Sequence, residues 1–340
     1  MSEDTQSPGY SVGITYNLKK EKEGELEDEQ AEYDSINTVR AISAAIEKTG
    51  CKTVFLEAAD NFPEMIKKAN IDFAFNIAEG KGGRGREAQV PSILNLYSIP
   101  FSGSDETTLC VALDKGIAKR IVKSHGIKTP VFFIWKDNET GIPRNLRFPV
   151  IIKPASEGSS KGILGTMLAR NRVELKKLLR EKWERYRQPL MAEEYINGRE
   201  LTVGIVGNGK DKRIFRPMEI IISPDANPDG SRIYSFHAKT NFEKYVRYEC
   251  PARLEPGAED KVMRISEKIY DVLECRDFAR IDFILDEYDN PYFIEINPLP
   301  GLAPGYSDYV MMAEYNGLGY DELIKAILNS ALERCGMKTV

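Results

Sequence analysis

Two short segments carry side chains that could do chemistry together. The first is ARIDFILDEYDNPYFIEINP, residues 279–298. Two β-branched and aromatic runs flank an acidic turn containing Asn-Pro, the pattern of a hairpin. With the turn centred between Tyr288 and Asp289, Asp282 faces Glu295, Arg280 faces Asn297, Ile281 faces Ile296 and Phe283 faces Ile294. Strand side chains alternate with a period of two. The aliphatic set therefore shares one face, and Arg280, Asp282, Glu295 and Asn297 share the other. Facing carboxylates repel unless a cation lies between them or one holds a proton. Asp, Glu and Asn offer only hard oxygen ligands, which suit Mg²⁺ completed by water and substrate phosphates. A half-buried hairpin with a solvated polar face is the plainer reading of the same residues, and the pairing of acid with acid argues against it.

The second segment is IIKPASEGSSKG, residues 151–162. A β-branched run ends in Lys153-Pro154, and a Gly/Ser loop follows. Backbone N–H groups of such a loop can bind phosphate oxygens, and a lysine at a strand end supplies a point charge. The segment lacks the GxxxxGK[ST] of a Walker loop, and by itself it reads equally as a turn. Together with a Mg²⁺-type hairpin more than a hundred residues later, it points to a nucleotide held between two lobes.

These segments need a framework. At 340 residues the chain exceeds a single core and predicts two or three lobes. With 42% apolar and 29% charged residues it reads as globular. A net charge of −5 argues against nucleic acid as a partner, and no apolar run reaches the roughly 20 residues of a membrane span. The opening MSEDTQSPGY lacks the apolar core of a signal peptide. Five scattered cysteines and no CxxC spacing suggest reduced thiols, so a cytoplasmic location is expected. YSVGITY (10–16), KTVFLE (52–57) and IDFAFNI (71–77) read as strands. A helix over Ile36, Val39, Ile42 and Ile46, with Asp34 as cap and Gly50 as stop, lies between the first two. That βαβ pattern predicts a small doubly wound parallel sheet. The charge run 19–32 reads as a solvated loop or a flap, and the Gly/Arg-rich AEGKGGRGREAQ (78–89) falls where open sheets bind ligands. One helix is predicted from Ser104 to about Gly126, with Lys115 inside it. Strands follow at 131–135, 148–153 and 189–196, with a helix over 171–186. Further strands are predicted near 200–207, 213–222 and 278–297, and helices near 257–274 and 320–335.

With these elements in place, the chain resembles the D-alanine–D-alanine ligase family of ATP-grasp enzymes, in order and nearly end to end. IPFSGSD (99–105), ALDKGIAKRI (112–121), IIKPASEGSSKG (151–162), EEYINGRELTVGI (193–205), FHAKT (236–240), ARIDF (279–283) and FIEINPLPGL (293–302) carry the resemblance. It implies an α/β chain with α+β lobes: a parallel-sheet domain over 1–104, a central ATP-grasp lobe over 105–197 and a C-terminal lobe over 198–340. It also implies an ATP-dependent carboxylate–amine ligase that joins two amino acids through an acyl phosphate. A ligase for another amino-acid or small-peptide pair, or a non-catalytic ATP-binding regulator, are the alternatives. The expected cofactors are ATP and two Mg²⁺ ions, with Mn²⁺ as a substitute, and a homodimer is the family's assembly.

Carried over residue by residue, the resemblance gives ATP phosphates to Lys115 and Lys153, under a loop holding Ser159 and Ser160. Glu193 and the backbone of Glu194 and Ile196 receive the adenine, and Glu200 the ribose. Lys239 reaches the transferred phosphate. Asp282, Glu295 and Asn297 hold the metal, while Arg280 and the Gly301 N–H stabilise the oxyanion. The amino-acid half departs from the family pattern. Glu32 is the nearest equivalent of the glutamate that holds the first substrate's ammonium, and Tyr306 or Ser307 stands where a serine holds the second substrate's carboxylate. Thr240 replaces an aromatic. Arg84 and Arg86 replace acidic residues: either they form an electropositive pocket for a substrate larger than alanine, such as one with an extra carboxylate, or both point to solvent and the pocket still accepts D-alanine.

Overall fold

A computed structural model describes residues 9–20, 32–136, 141–158, 168–227 and 233–340. The N-terminal sheet contains β1 (Ser11–Tyr16), β2 (Lys52–Glu57) and β3 (Phe73–Asn76), parallel and in the order β2-β1-β3. β1 is central and almost wholly buried, and its Val12 and Ile14 share one face, in one apolar core with Val39 and Ile42 of the helix that follows. Helix α1 (Ile36–Glu47) follows β1, with the apolar periodicity read from the sequence buried as Val39, Ile42 and Ile46. Its N-cap is Ser35, whose hydroxyl accepts from the Thr38 N–H, and not Asp34 as predicted. The exchange frees the Asp34 carboxyl to face a cavity. Helices α2 (Phe62–Lys68) and α3 (Gln89–Leu96) cover the remaining strands.

The predicted helix over 104–126 is two helices, α4 (Glu106–Leu113) and α5 (Lys115–Ser124). Asp114 breaks the run by taking an extended conformation, and its carboxylate caps α5 through the Ile117 N–H. Lys115 thereby becomes the first residue of α5.

The central sheet is antiparallel, in the order β4-β7-β5-β6: β4 (Phe132–Trp135), β5 (Val150–Pro154), β6 (Leu168–Ala169) and β7 (Leu190–Glu194). Helix α6 (Arg172–Tyr186) packs on it, with Trp183 edge-on to Trp135 at 5.5 Å.

The C-terminal sheet has β8 (Arg199–Val206) and β12 (Phe278–Leu285) at its centre. The order is β11-β10-β8-β12-β13, with β9 (Arg213–Ile214) beside β8, β10 (Met218–Ile222), β11 (Val246–Glu249) and β13 (Pro291–Asn297). The single strand predicted over 213–222 is thus two. FHAKT forms a short helix, α7 (Phe236–Thr240), followed by α8 (Phe242–Tyr245). Helices α9 (Pro256–Val272), α10 (Asp308–Tyr315) and α11 (Tyr320–Arg334) complete the chain. α1 packs on α11, so the N-terminal sheet shares one apolar core with the back of the C-terminal sheet.

The β12–β13 hairpin pairs Arg280 with Asn297, Ile281 with Ile296 and Asp282 with Glu295, as the sequence predicts. Beyond Asp282 the register shifts, and Phe283 lies opposite Phe293 instead of Ile294. The turn is responsible. Asp286 and Asn290 close it, and Asp289 adopts a left-handed φ of 57°. The loop therefore ends one residue earlier on β13, and a bulge at Ile294 absorbs the mismatch. The bulge brings Ile294 and Glu295 toward the same cavity.

Candidate active site

Two adjoining cavities lie between the sheets. The first, about 110 Å³, is bounded by the central sheet on one side and β8, β12 and β13 on the other. In β5 and β7, Ile151 is opposite Glu193, so Lys153 is the diagonal neighbour of Glu193 on the same face. Lys153 Nζ meets Glu193 Oε1 at 2.7 Å, and Lys119 Nζ meets Oε2 at 3.0 Å. Burial pulls on all three groups, yet their mutual attraction holds Glu193 below the usual carboxylate range and Lys153 above the usual ammonium range. Burial prevails only at Lys119, which falls to about 8. The carboxylate expected at the adenine amino group is therefore already neutralising two ammonium groups. Of the backbone expected at the adenine edge, the Glu194 N–H is committed to Val131 O. The Glu200 carboxyl faces the same cavity, pushed up to about 8 by burial and by Asp282 and Glu295.

Asp282 and Glu295 sit across the floor. Arg280 grips Asp282 through Nε and Nη2, at 3.0 and 2.9 Å, and Thr202 Oγ1 donates to Asp282 at 2.6 Å. Lys115 Nζ stands 3.1 Å from Glu295 Oε2 and donates to Glu157 O. Burial would raise the Glu295 pKa, but Lys115, Lys153 and Arg280 outweigh it and hold the carboxyl near 2. An ionised carboxylate, a second one opposite it and the Asn297 amide form a donor set for a hard cation. Among the described residues no group of three or more His, Cys, Asp or Glu side chains could hold a metal by itself. The set fits a Mg²⁺ ion that shares its coordination with phosphate oxygens. Asn297 is turned toward the second cavity and accepts from the Leu299 N–H.

The second cavity, about 290 Å³, runs from Lys239 and Arg280 to the N-terminal sheet. Lys239 and Arg280 line both cavities and join them. Burial lowers the pKa of Lys239, with Asp308 opposing. Gly301, Tyr306 and Ser307 line the second cavity as well. A Cβ at Gly301 would come within 2.8 Å of Ser307 Oγ. That hydroxyl accepts from the Ala303 N–H, so it braces the loop, while Tyr306 packs edge-on against Phe242. Thr240 is exposed and lines neither cavity.

Among the described residues, Arg84 and Arg86 do not form the expected electropositive pocket. Arg84 is 66% exposed, pairs with Asp114 and faces a separate cleft. Arg86 is buried and turned inward. Its Nη2 donates to both Glu32 oxygens at 2.7 Å, and its Nη1 donates to Ser156 O at 2.8 Å. Glu32 also accepts from the Gly158 N–H at 2.6 Å. Glu32 lines the second cavity, but its charge is met by Arg86, and both residues act as a clasp on the start of the Gly/Ser loop. The predicted Ser159 and Ser160 lie outside the described residues.

Sequence reasoning missed several participants. Lys119 falls four residues after Lys115, one helical turn along the same face, which is a legible signal. It also donates to Thr129 Oγ1 and Phe293 O, both at 3.0 Å, joining the central and C-terminal sheets. Asp308, buried 3.8 Å from Arg280, gave no local signal, since only the α10 start brings it there.

The family profile described as D-ala D-ala ligase C-terminus matches residues 123–329. The D-alanine–D-alanine ligase of Carboxydothermus hydrogenoformans is 32% identical over 308 residues, covering 88% of this chain and 94% of that protein. The crystal structure of the Bacillus anthracis D-alanine–D-alanine ligase complexed with ATP superposes with a TM-score of 0.75 at 23% identity, covering 96% of this chain and 98% of that one. The Enterococcus faecalis VanG D-Ala:D-Ser ligase gives 0.73 at 19% identity, over 95% and 99%. The fold is the ATP-grasp fold that the sequence implied. No helix among the described residues is long and apolar enough to cross a membrane. On this profile match and this identity, the chain belongs to the D-alanine–D-alanine ligase family and is an ATP-dependent ligase that forms an amide bond.

Proposed function

We propose that the first cavity binds Mg²⁺-ATP and that the second binds an amino acid whose carboxylate is phosphorylated and then joined to a second amino acid. The observation that carries this reading is the junction: Lys239 and Arg280 line both cavities, so a carboxylate in one lies beside a phosphoryl group in the other. A carboxylate oxygen attacks the γ-phosphorus, ADP leaves, and an acyl phosphate forms. The incoming neutral amine attacks the acyl carbon, phosphate leaves with the bonding pair, the nitrogen gives up one proton to the departing phosphate or to water, and the amide remains.

Each residue has a defined task. Lys153 and Lys115 offset charge on the phosphate oxygens, and Lys239 does so at the transferred group. Glu200, facing the first cavity, can accept from a ribose hydroxyl. Asp282, Glu295 and Asn297 would hold Mg²⁺, which when bound supplies Lewis-acid stabilisation of the phosphoryl oxygens. Arg280, fixed by Asp282 and Asp308, and the Gly301 N–H stabilise the tetrahedral oxyanion.

D-alanine, the substrate named for the relatives, is the first amino acid to test, and the amide product defines the pair. The experiment is phosphate release from ATP with single amino acids and pairs of both chiralities, with mass spectrometry of the product. Release that requires an amino acid and yields an amide supports the reading. Release that ignores every amino acid refutes it.

A further inference from the structure

We propose that Glu79, assisted by Asp34, holds the cationic group of the amino-acid substrate in place of Glu32. The inference rests on the ligase reading above. It begins from charge already spent. Both Glu32 oxygens accept from Arg86, and one also accepts from the Gly158 N–H. A carboxylate so saturated has little left for an ammonium.

Glu79 is different. It lines the second cavity and makes no hydrogen bond or ion pair among the described residues. Burial, reinforced by Glu87 and Glu32, raises its pKa well above the carboxylate range, and Arg86 offsets this only in part because its guanidinium is committed elsewhere. Asp34 lines the same cavity, met by the Thr38 side chain, and burial pushes it up to about 7. Lys19, exposed at the rim, is not among the charges acting on either carboxyl. Two carboxyls so placed favour either protons or a bound cation.

The end of the cavity that adjoins the first carries two cations, with the Asp308 carboxylate beside them. Lys239 and Arg280 stand at its junction with the first cavity, and neither Glu79 nor Asp34 is among the main charges acting on them. A cavity with cations at one end and carboxyls at the other matches a zwitterion, carboxylate toward the phosphoryl site and ammonium toward Glu79.

The backbone beside Glu79 is built to stay put. The Gly80 N–H donates to Asn17 Oδ1 at 2.8 Å, and the Gly80 carbonyl accepts from Tyr33 OH at 3.0 Å. Gly80 has a φ of 71°, and a Cβ there would run into the Arg86 carbonyl. Glu79 is thus presented from a rigid turn.

The test uses the full chain, ATP and Mg²⁺, with phosphate release measured across amino acids of both chiralities. The panel includes neutral and basic side chains and the α-hydroxy-acid analogue of each accepted neutral substrate. Glu79→Gln, which removes charge without volume or a hydrogen bond, should raise the KM for the accepted amino acid about tenfold or more, with KM for ATP unchanged within about twofold. Asp34→Asn should raise the same constant less. Glu79→Gln should also discriminate less between the amino acid and its hydroxy analogue. An effect on neutral amino acids assigns the α-ammonium, and an effect confined to basic ones assigns a side-chain cation. An active wild-type enzyme whose amino-acid KM ignores Glu79→Gln, or a variant whose KM for ATP rises equally, overturns the inference alone. A wild-type chain that releases phosphate with no amino acid overturns the ligase reading and this inference with it.

Discussion

Replacing Arg86 by Met should destabilise the protein more than any single surface charge could, and the structure sets the size of the effect. Arg86 and Glu32 have side-chain exposures of only 6% and 7%, with Nη2 2.7 Å from the carboxylate. Removing the guanidinium leaves Glu32 buried with the Gly158 N–H as its one remaining donor among the described residues. Breaking a buried pair in this way costs about 3–5 kcal/mol. Glu32→Gln should cost less, about 2 kcal/mol, because the amide oxygen can still accept from Arg86 and because Glu157 lies 3.5 Å from Arg86 as a second carboxylate. The double variant buries neither charge. Its loss should fall short of the summed single losses by at least about 2 kcal/mol. Denaturant unfolding followed by far-UV circular dichroism and by fluorescence checks this, since Trp135 and Trp183 report on the central sheet next to the clasp. Additive losses, within about 0.5 kcal/mol, would refute the clasp.

Three further outcomes are expected. Glu295→Gln should abolish Mg²⁺-dependent phosphate release while leaving the unfolding midpoint within a few degrees; full activity in a folded variant would remove Glu295 from the metal site. Lys119→Met leaves Glu193 buried with a single lysine and cuts the link from α5 to Phe293 O, so stability should drop by about 2–4 kcal/mol. KM for ATP should rise with it, and an unchanged KM would show that Lys119 does not position Lys153. Glu87 is buried, and burial, partly offset by Arg86, lifts it to about 8. The folded state then keeps a proton that the unfolded state loses above about 4.5, so stability falls as pH rises from about 4.5 to 8, by up to about 4 kcal/mol. Glu87→Gln should flatten that fall; parallel unfolding curves for the two proteins between pH 5 and 9 would rule it out.

What could be read from the sequence divides along physical lines. Local periodicity located most strands of the three sheets, but not the two-residue β6 or the edge strand β11, and the pairing of Asp282 with Glu295 followed from counting outward from one turn. That count failed one residue further on, because a left-handed Asp289 shortens the loop and a bulge compensates. Bulges leave no mark in a period-two pattern. Asp114 ended a helix that propensity alone would have carried through, since its side chain caps the next one. Arg84 and Arg86 could not be told apart by type or spacing. They differ only in what the fold places opposite them: Asp114 near solvent for one, Glu32 and Ser156 O in the interior for the other.

The same distinction explains why the nucleotide half was more legible than the amino-acid half. In the cleft between the sheets, Lys153 is held by Glu193 and Lys115 by Glu295 on neighbouring elements, and Arg280 by Asp282 two residues along its own strand. These pairs follow from strand register or a helix start, so sequence motifs encode them compactly. Such pairing fixes the cations before any phosphate arrives, which lowers the reorganisation needed during reaction. Around Glu79 the logic is reversed. Its nearest charges are other carboxyls and an arginine committed to Glu32, brought together from the segments before α1 and after β3. No single motif spans those segments. A carboxyl with no hydrogen-bond or ion-pair partner among the described residues, in such company, favours either a proton or a cation from solution, and under the inference above the sign of that cation's charge is the one property of the substrate that this geometry dictates.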